Sequence, residues 1–344
     1  MNEFPIDVLG SGAVVLGPQV TCDGFQADHP VRVQTHVHLD HMSHFSTSTG
    51  AGRKVVMSPE TYLLLGDAHP EFDVRTNIHK VEVGEELQLD GNLISLVPSD
   101  HMLGARQVVV QLGNGMRLGY SGDFFFPLEC VIQVDALVVD ATYGNPDDHR
   151  RYTQAEAEER LASLVKKELR RGPVHIMAKI GPAERALLAL AADDLIPRVP
   201  VIGSERFCAC VNVYRKCGYH IPKAISVDTK DAIRAMKSRK YIRFWGLGQQ
   251  LPNDIIEGAF IDLTSYRTRD AVEAWDNNQY TVGFCNHADF DGTMEYVRRT
   301  GATLVVADGV RASGKALNLA RAIRQELAIK ARPSSNKGSP AWGA

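Results

Sequence analysis

The run Thr35-His36-Val37-His38-Leu39-Asp40-His41 places four side chains with nitrogen or oxygen donors within six residues. On a strand end, alternation puts His36 and His38 on one face, and a turn into a helix lets Asp40 and His41 reach a second nearby point. Few purely structural demands require these residue types at this spacing, so the run predicts metal ligation, with two divalent ions sharing one segment. A closed site needs more donors. Three isolated candidates each follow a strand-like run: His101 after 96–100, Asp123 after 118–122, and His287 after 282–286. Donors at strand ends are how an α/β sheet builds a site at its edge. His44, His69, His79, His149, His175 and His220 lack such a context and read as surface or structural residues.

Working outward, the chain to about residue 145 reads as short strands divided by Gly-containing turns. Val108–Leu112 and Met116–Tyr120, joined through Asn114-Gly115, predict a hairpin, because Asn-Gly tolerates the positive φ such turns require. At Thr153 the character changes. Thr153 with Glu156 forms a capping box, and Leu161, Leu164, Val165 and Leu169 repeat at helical spacing until Gly172-Pro173. A strand over 174–178, a helix opened by Gly181-Pro182, and a strand near 200–203 follow. Further strand-like runs at 241–245, 259–263, 280–284 and 303–306 alternate with polar or helical stretches, which makes the fold class α/β. The Ser-, Pro-, Gly- and Lys-rich segment 332–344 reads as a flexible tail.

Composition narrows the possibilities. With 344 residues, 44% apolar and 23% charged, the chain has the make-up of a globular protein of one large or two modest domains. No apolar run reaches the length of a membrane span and the start lacks a signal peptide's pattern, so a cytoplasmic location is expected. Six scattered cysteines without paired CxxC spacing argue against a disulfide scaffold or zinc ribbon. A net charge of −3 means that any nucleic acid would have to be held by a local basic patch.

As a set, His36-Val-His-Leu-Asp-His41, His101 in Ser-Asp-His-Met-Leu-Gly and Asp123 in Tyr-Ser-Gly-Asp-Phe resemble the metallo-β-lactamase fold in its metallo-hydrolase form. Leu137-Val-Val-Asp140-Ala-Thr-Tyr-Gly-Asn-Pro146 resembles motif A of the β-CASP nucleases, and Cys285-Asn-His287-Ala-Asp-Phe290 resembles their motif B. Lys179-Ile-Gly-Pro-Ala-Glu-Arg185, the Thr-Tyr-x-Asn-Pro ending of motif A and the Gly-Asp-Phe form of the aspartate motif are similar to the SNM/Pso and Artemis DNA-repair branch. The resemblance covers about residues 8 to 325. It implies an αββα sandwich core in two parts, 1–150 and 275–331, with an inserted α/β cap over 151–274. It further implies His36, His38 and His101 on one metal, Asp40, His41 and His287 on a second, and Asp123 between them. Asp140 would hold a ligand histidine in its tautomer. The family's last motif falls on Val306-Ala-Asp308-Gly309, where its RNA-processing members have His and its DNA-repair branch has Val; Asp308 either orients a ligand or caps a turn.

Such a site predicts phosphodiester hydrolysis by a metal-activated water, with two divalent ions, zinc by ligand type and manganese or iron as alternatives. Asp40 and Asp123 would position the metals and the water, and His287 would assist the leaving oxygen. Basic residues at Lys166, Lys167, Arg170 and Arg171, and at Arg234, Lys237, Arg239, Lys240 and Arg243 beside Tyr241, Phe244 and Trp245, suit a single strand, though charge runs on helices are usually solvated faces. Lys179, Arg185, Arg239, Lys240 and Arg243 are the expected nucleic-acid contacts. Gly181-Pro182 offers backbone N–H groups to a terminal phosphate, or is only a helix start. The expected activity is a 5′ DNA exonuclease of SNM/Pso type. An RNA-processing nuclease, a small-molecule metallo-hydrolase and a non-catalytic nucleic-acid-binding subunit are the alternatives.

Overall fold

The computed structural model describes residues 4–72, 77–193, 199–246, 257–264, 270–312 and 314–335. It is α/β, with three mixed sheets. The chain divides into two compact units. One comprises Met1–Gly66, Pro70–His149 and Asn286–Gly343; the other is built on Arg150–Cys285.

The first unit holds two sheets. One has six strands in chain order, Ile6–Val8, Val14–Leu16, Val20–Cys22, Val31–Val33, Lys54–Met57 and Ile78–Lys80. The other has seven, in spatial order Lys330–Pro333, Leu304–Ala307, Ala136–Val139, Arg117–Tyr120, Arg106–Gln111, Asn92–Pro98 and Glu86–Leu89. Period-two alternation sorts their side chains between two cores. Ala136, Val138 and Val306 join Val8, Val14, Val31, Val33, Val108 and Tyr120 between the sheets. Leu137, Val139, Val305 and Ala307 point the other way, into a second core with Met294 and Val297 of the helix Phe290–Thr300 and Leu319 and Ile323 of the helix Lys315–Glu326. The expected hairpin forms between Arg106–Gln111 and Arg117–Tyr120, closed where Gly115 N–H donates to the Leu112 carbonyl at 2.8 Å.

The second unit holds a seven-stranded sheet in the order Ile225–Ser226, Val201–Gly203, Ile242–Gly246, Val174–Ala178, Ala259–Thr264, Gln279–Gly283 and Val272–Asp276, antiparallel only in its last pair. The helix Gln154–Leu169 opens with the capping box foreseen at Thr153 and Glu156. Two boundaries differ from the sequence reading. The second unit runs past residue 274 to Cys285, because 272–276 and 279–283 pair with each other and with 259–264. The flexible tail expected over 332–344 is ordered at its start, where Lys330–Pro333 is an edge strand pairing with Leu304–Ala307; 336–344 lie outside the described residues. No helix among the described residues is long and apolar enough to cross a membrane.

Candidate metal centre

The site is built where strands of the first unit end. Val31–Val33 runs into His36 and His38, and a short 3-10 turn, Leu39–His41, carries Asp40 and His41. Asp123 follows Arg117–Tyr120, Asp140 follows Ala136–Val139, and His101 follows Asn92–Pro98. The turn before Asp123 requires glycine: Gly122 has φ +55°, and a Cβ there would meet the Arg106 carbonyl oxygen at 2.7 Å.

His36, His38, His101 and Asp123 come together as one group of donors. The Nδ1 atom of His38 lies 3.1 Å from His36 Nε2 and 3.0 Å from His101 Nε2. One ion held by neighbouring nitrogens sets them roughly 3 Å apart when each bond is about 2.0–2.1 Å. Asp123 faces both sides of the site. Its Oδ2 lies 3.6 Å from His36 and His101 Nε2 and 3.8 Å from His287 Nε2, while its Oδ1 lies 3.3 Å from His41 Nε2. Asp40 is half-exposed, with Oδ2 3.7 Å from His41 Nε2. Asp40, His41 and His287 do not close into one tight group; His287 groups instead with Asp123 and Asp140.

Partners behind the ligands fix which ring nitrogen faces the centre. His287 Nδ1 lies 2.9 Å from Asp140 Oδ2, whose other oxygen accepts from Thr142 N–H and Oγ1–H. His101 Nδ1 lies 2.9 Å from the Asn286 carbonyl oxygen. His41 Nδ1 lies 2.7 Å from Asp23 Oδ2, and Thr35 Oγ1 donates to that same oxygen while standing 2.9 Å from His36 Nδ1. Each of these four rings therefore turns Nε2 inward, the arrangement that second partners impose on metal-ligating histidines.

Beneath them runs a buried network. Gln34 donates its amide to the carbonyls of His36 and His41, and its own carbonyl accepts two hydrogen bonds from the Arg32 guanidinium. Arg32 also donates to the Ser43 and His41 carbonyls. Burial pulls its pKa down to about 10, against the favourable charge of Asp23.

The electrostatics suit cations. Burial, reinforced by neighbouring imidazoles, holds His36 and His101 well below the usual histidine range. Burial would raise Asp123, but the charges of His41 and His287 outweigh it and hold the carboxyl well below its ordinary value. The buried Nε2 of His41 has no hydrogen-bond partner among the described residues. A buried carboxylate flanked by inward imidazole nitrogens fits a divalent ion of the zinc class.

Asp23, which contacts His41 Nδ1 and Thr35 beside the cluster, was not singled out in the sequence. Its only signal was position, one residue beyond a strand-like Val20-Thr-Cys22, beside the strand leading to His36. Asp308 caps the turn of Gly309–Ala312: its Oδ1 accepts from Val310 and Arg311 N–H, and its Oδ2 pairs with Arg311 at 2.6 Å.

The expected nucleic-acid contacts lie in the second unit. Lys179 and Lys240 are exposed. Arg185 pairs with Glu158 at 2.6 Å and Arg239 with Glu257 at 2.8 Å, and Arg243 lies over the Trp245 ring at 3.6 Å. In the other cluster, Lys166 pairs with Asp193, and Lys167 and Arg171 with Glu168. The Gly181 N–H is taken by the Glu184 carboxylate at 2.6 Å, so it is not open to a phosphate.

No family model matches the sequence. Over 117 residues, 33% of this chain, it is 36% identical to an Acidianus ambivalens protein described as an uncharacterized protein in the lig 3′ region, covering 83% of that protein. Over 123 residues it is 28% identical to the transcription termination factor FttA of a Lokiarchaeum strain, 31% of this chain but only 19% of that factor. Among solved structures, a protein of unknown function from Enterococcus faecalis V583 superposes with a TM-score of 0.57 at 12% identity, over 92% of this chain and 82% of that one. That likeness is one of fold.

Proposed function

The chain belongs to the family of the Acidianus ambivalens protein from the lig 3′ region, and from that premise we propose that it is a metal-dependent hydrolase of nucleic-acid phosphodiester bonds. The relative's name states no activity, so the reading rests on the site. The observation that carries it is the convergence of His36, His38, His101 and Asp123, with the buried Nε2 of His41 facing Asp123 Oδ1 at 3.3 Å on its other side. Sheet-on-sheet packing with the donors at strand ends, and a second α/β unit between His149 and Asn286, support the metallo-β-lactamase and β-CASP architecture as the frame for that site.

His36, His38 and His101 would hold one ion and His41, Asp40 and His287 a second, with Asp123 between. Bound there, divalent ions supply Lewis acidity toward a phosphoryl oxygen and make water acidic enough to attack near neutral pH. The chain's own residues do the rest. Asp40, half-exposed, would accept the proton of the attacking water. Asp23 and Asp140 keep His41 and His287 in the tautomer whose Nε2 faces the centre. His287, partly exposed with its Nε2 3.8 Å from Asp123 Oδ2, would assist the departing oxygen.

The likeness to a transcription termination factor favours RNA, the product of transcription, as the substrate. The expectation of a 5′ DNA exonuclease of SNM/Pso type draws no support from these likenesses, and Arg185 of its signature stretch is engaged by Glu158. End-labelled RNA and DNA of one sequence, incubated with zinc or manganese and with wild type or Asp40→Ala, test the reading. RNA is expected to be cut at least ~10²-fold faster by wild type than by the variant, a general-base-sized effect. Metal-loaded protein that cuts neither strand would overturn it.

A further inference from the structure

The second unit carries a cavity that the metal centre does not use. Helices Gln154–Leu169 and Pro182–Ala192 pack on the strand Val174–Ala178, whose Val174, Ile176 and Ala178 are buried. By alternation, His175 and Met177 face the other way. On that face lies a cavity of about 400 Å³ lined by Met177, Trp245, Phe260, Asp262, Trp275 and Tyr280, among others. This is within the usual size of small-ligand sites, about 300–1,000 Å³. Register sets Met177 beside both Trp245 and Asp262.

Three features of its wall point to a ligand. Trp275 is 72% exposed, yet its Nε1–H is already given to Thr281 Oγ1 at 2.7 Å, so what it offers is a bare aromatic face on a fixed ring. Trp245 is fixed too: its Nε1–H donates to His175 Nδ1 at 3.2 Å, and the Arg243 guanidinium stacks on it at 3.6 Å. Asp262 has a buried carboxylate oxygen with no hydrogen-bond partner among the described residues. An acceptor without a donor, between aromatic faces, fits a flat ligand whose edge carries N–H groups. Arg243 adds a positive charge beside the cavity, which favours a ligand bearing phosphate and disfavours a cationic one.

We propose that this cavity is a nucleobase subsite for guanine, the base stacking on Trp275 and presenting its N1–H and N2–H to the Asp262 carboxylate. Guanine is the common base with two adjacent donors on its Watson–Crick edge, and a carboxylate accepts such a pair in a fork. The inference rests on the nucleic-acid reading above only for the class of ligand, and it needs no metal.

Its test is a tryptophan-fluorescence titration of the full chain carrying Asp40→Ala, without added metal, with the 5′-monophosphates of the four ribonucleosides, inorganic phosphate and tetramethylammonium. The guanosine nucleotide should bind saturably and about tenfold or more tighter than the other three, the scale of one bidentate base contact. Trp275→Ala, at an exposed position and checked for folding by circular dichroism, should weaken it roughly five- to a hundredfold, as lost base stacking does. Asp262→Asn should abolish the preference among bases. Equal binding of all four bases, competition by phosphate alone, tighter binding of tetramethylammonium, or no saturable signal would each overturn the proposal. Cleavage assays are read separately: a chain that binds guanosine nucleotide but cuts nothing loses the nuclease reading alone, and a chain that cuts but does not discriminate among bases loses the subsite alone.

Discussion

Asp23 holds two of the site's histidines at once, His41 directly and His36 through Thr35. Its replacement by Asn should lower metal affinity by about 10- to 100-fold, as loss of such partners typically does. Metal titration of the folded variant checks this; unchanged affinity would mean that the tautomers are fixed otherwise. Arg32 serves the same loop from below. Arg32→Met would strip hydrogen bonds from Gln34 and from the Ser43 and His41 carbonyls, and should cost about 2–4 kcal/mol by chemical denaturation. At this scale the sequence was legible where donors crowd a short run. His36, His38, Asp40 and His41 announce themselves by spacing, whereas Asp23 in Cys-Asp-Gly looks like any turn aspartate. Its role depends on a parallel pairing in which each residue meets one eleven positions on, as Val20 meets Val31, which no local pattern encodes. Arg32 was unreadable for the opposite reason: a cation in a short strand ordinarily faces water, and only the cluster of carbonyls around it makes burial tolerable.

Two elements carry their own tests. Gly122 closes the turn that delivers Asp123, so Gly122→Ala must move either the turn or the Arg106 carbonyl. Metal binding should fall even if the variant folds, which metal analysis beside circular dichroism would show. In the helix Pro182–Ala192, Glu184 caps its own N-terminus from a buried position, and burial, against the Gly181 hydrogen bond, raises its pKa from 4.5 to about 7. The folded chain therefore holds this proton more tightly than the unfolded chain. Its contribution to stability is complete below about pH 4.5 and is lost as pH rises through about 7. Glu184→Gln should flatten that dependence, gaining on the order of 2–3 kcal/mol relative to wild type between pH 5 and pH 8. Parallel denaturation curves at the two pH values would contradict this. The cap at Thr153 and the Asn114-Gly115 hairpin were readable because their chemistry is local. Strand Ile225–Ser226 was not, since two residues leave no period to detect and only pairing with Val201–Gly203 defines it.

For the whole molecule, the change of pattern at Thr153 marked where the second unit begins, but its end at Cys285 was hidden. The partners that hold 272–276 and 279–283 in that sheet are set by register rather than by composition. The two proposed sites fall in different units. If the first unit alone holds the ions, a chelator should lower the unfolding temperature of wild type. A stabilisation of about 4 kcal/mol follows for an ion at a thousand times its dissociation constant. Asp123→Ala should respond little, and an equal chelator effect on both would place the metal elsewhere. The most direct measurement of the central claim joins occupancy to chemistry: bound metal per chain and initial rate of RNA cleavage, followed together as zinc or manganese is titrated into metal-free protein. Two equivalents should bind, with cleavage rising with their occupancy, and both should be lost in Asp123→Ala. Cleavage that persists in the metal-free chain or in that variant, or a fully loaded site that cleaves no phosphodiester, would contradict it.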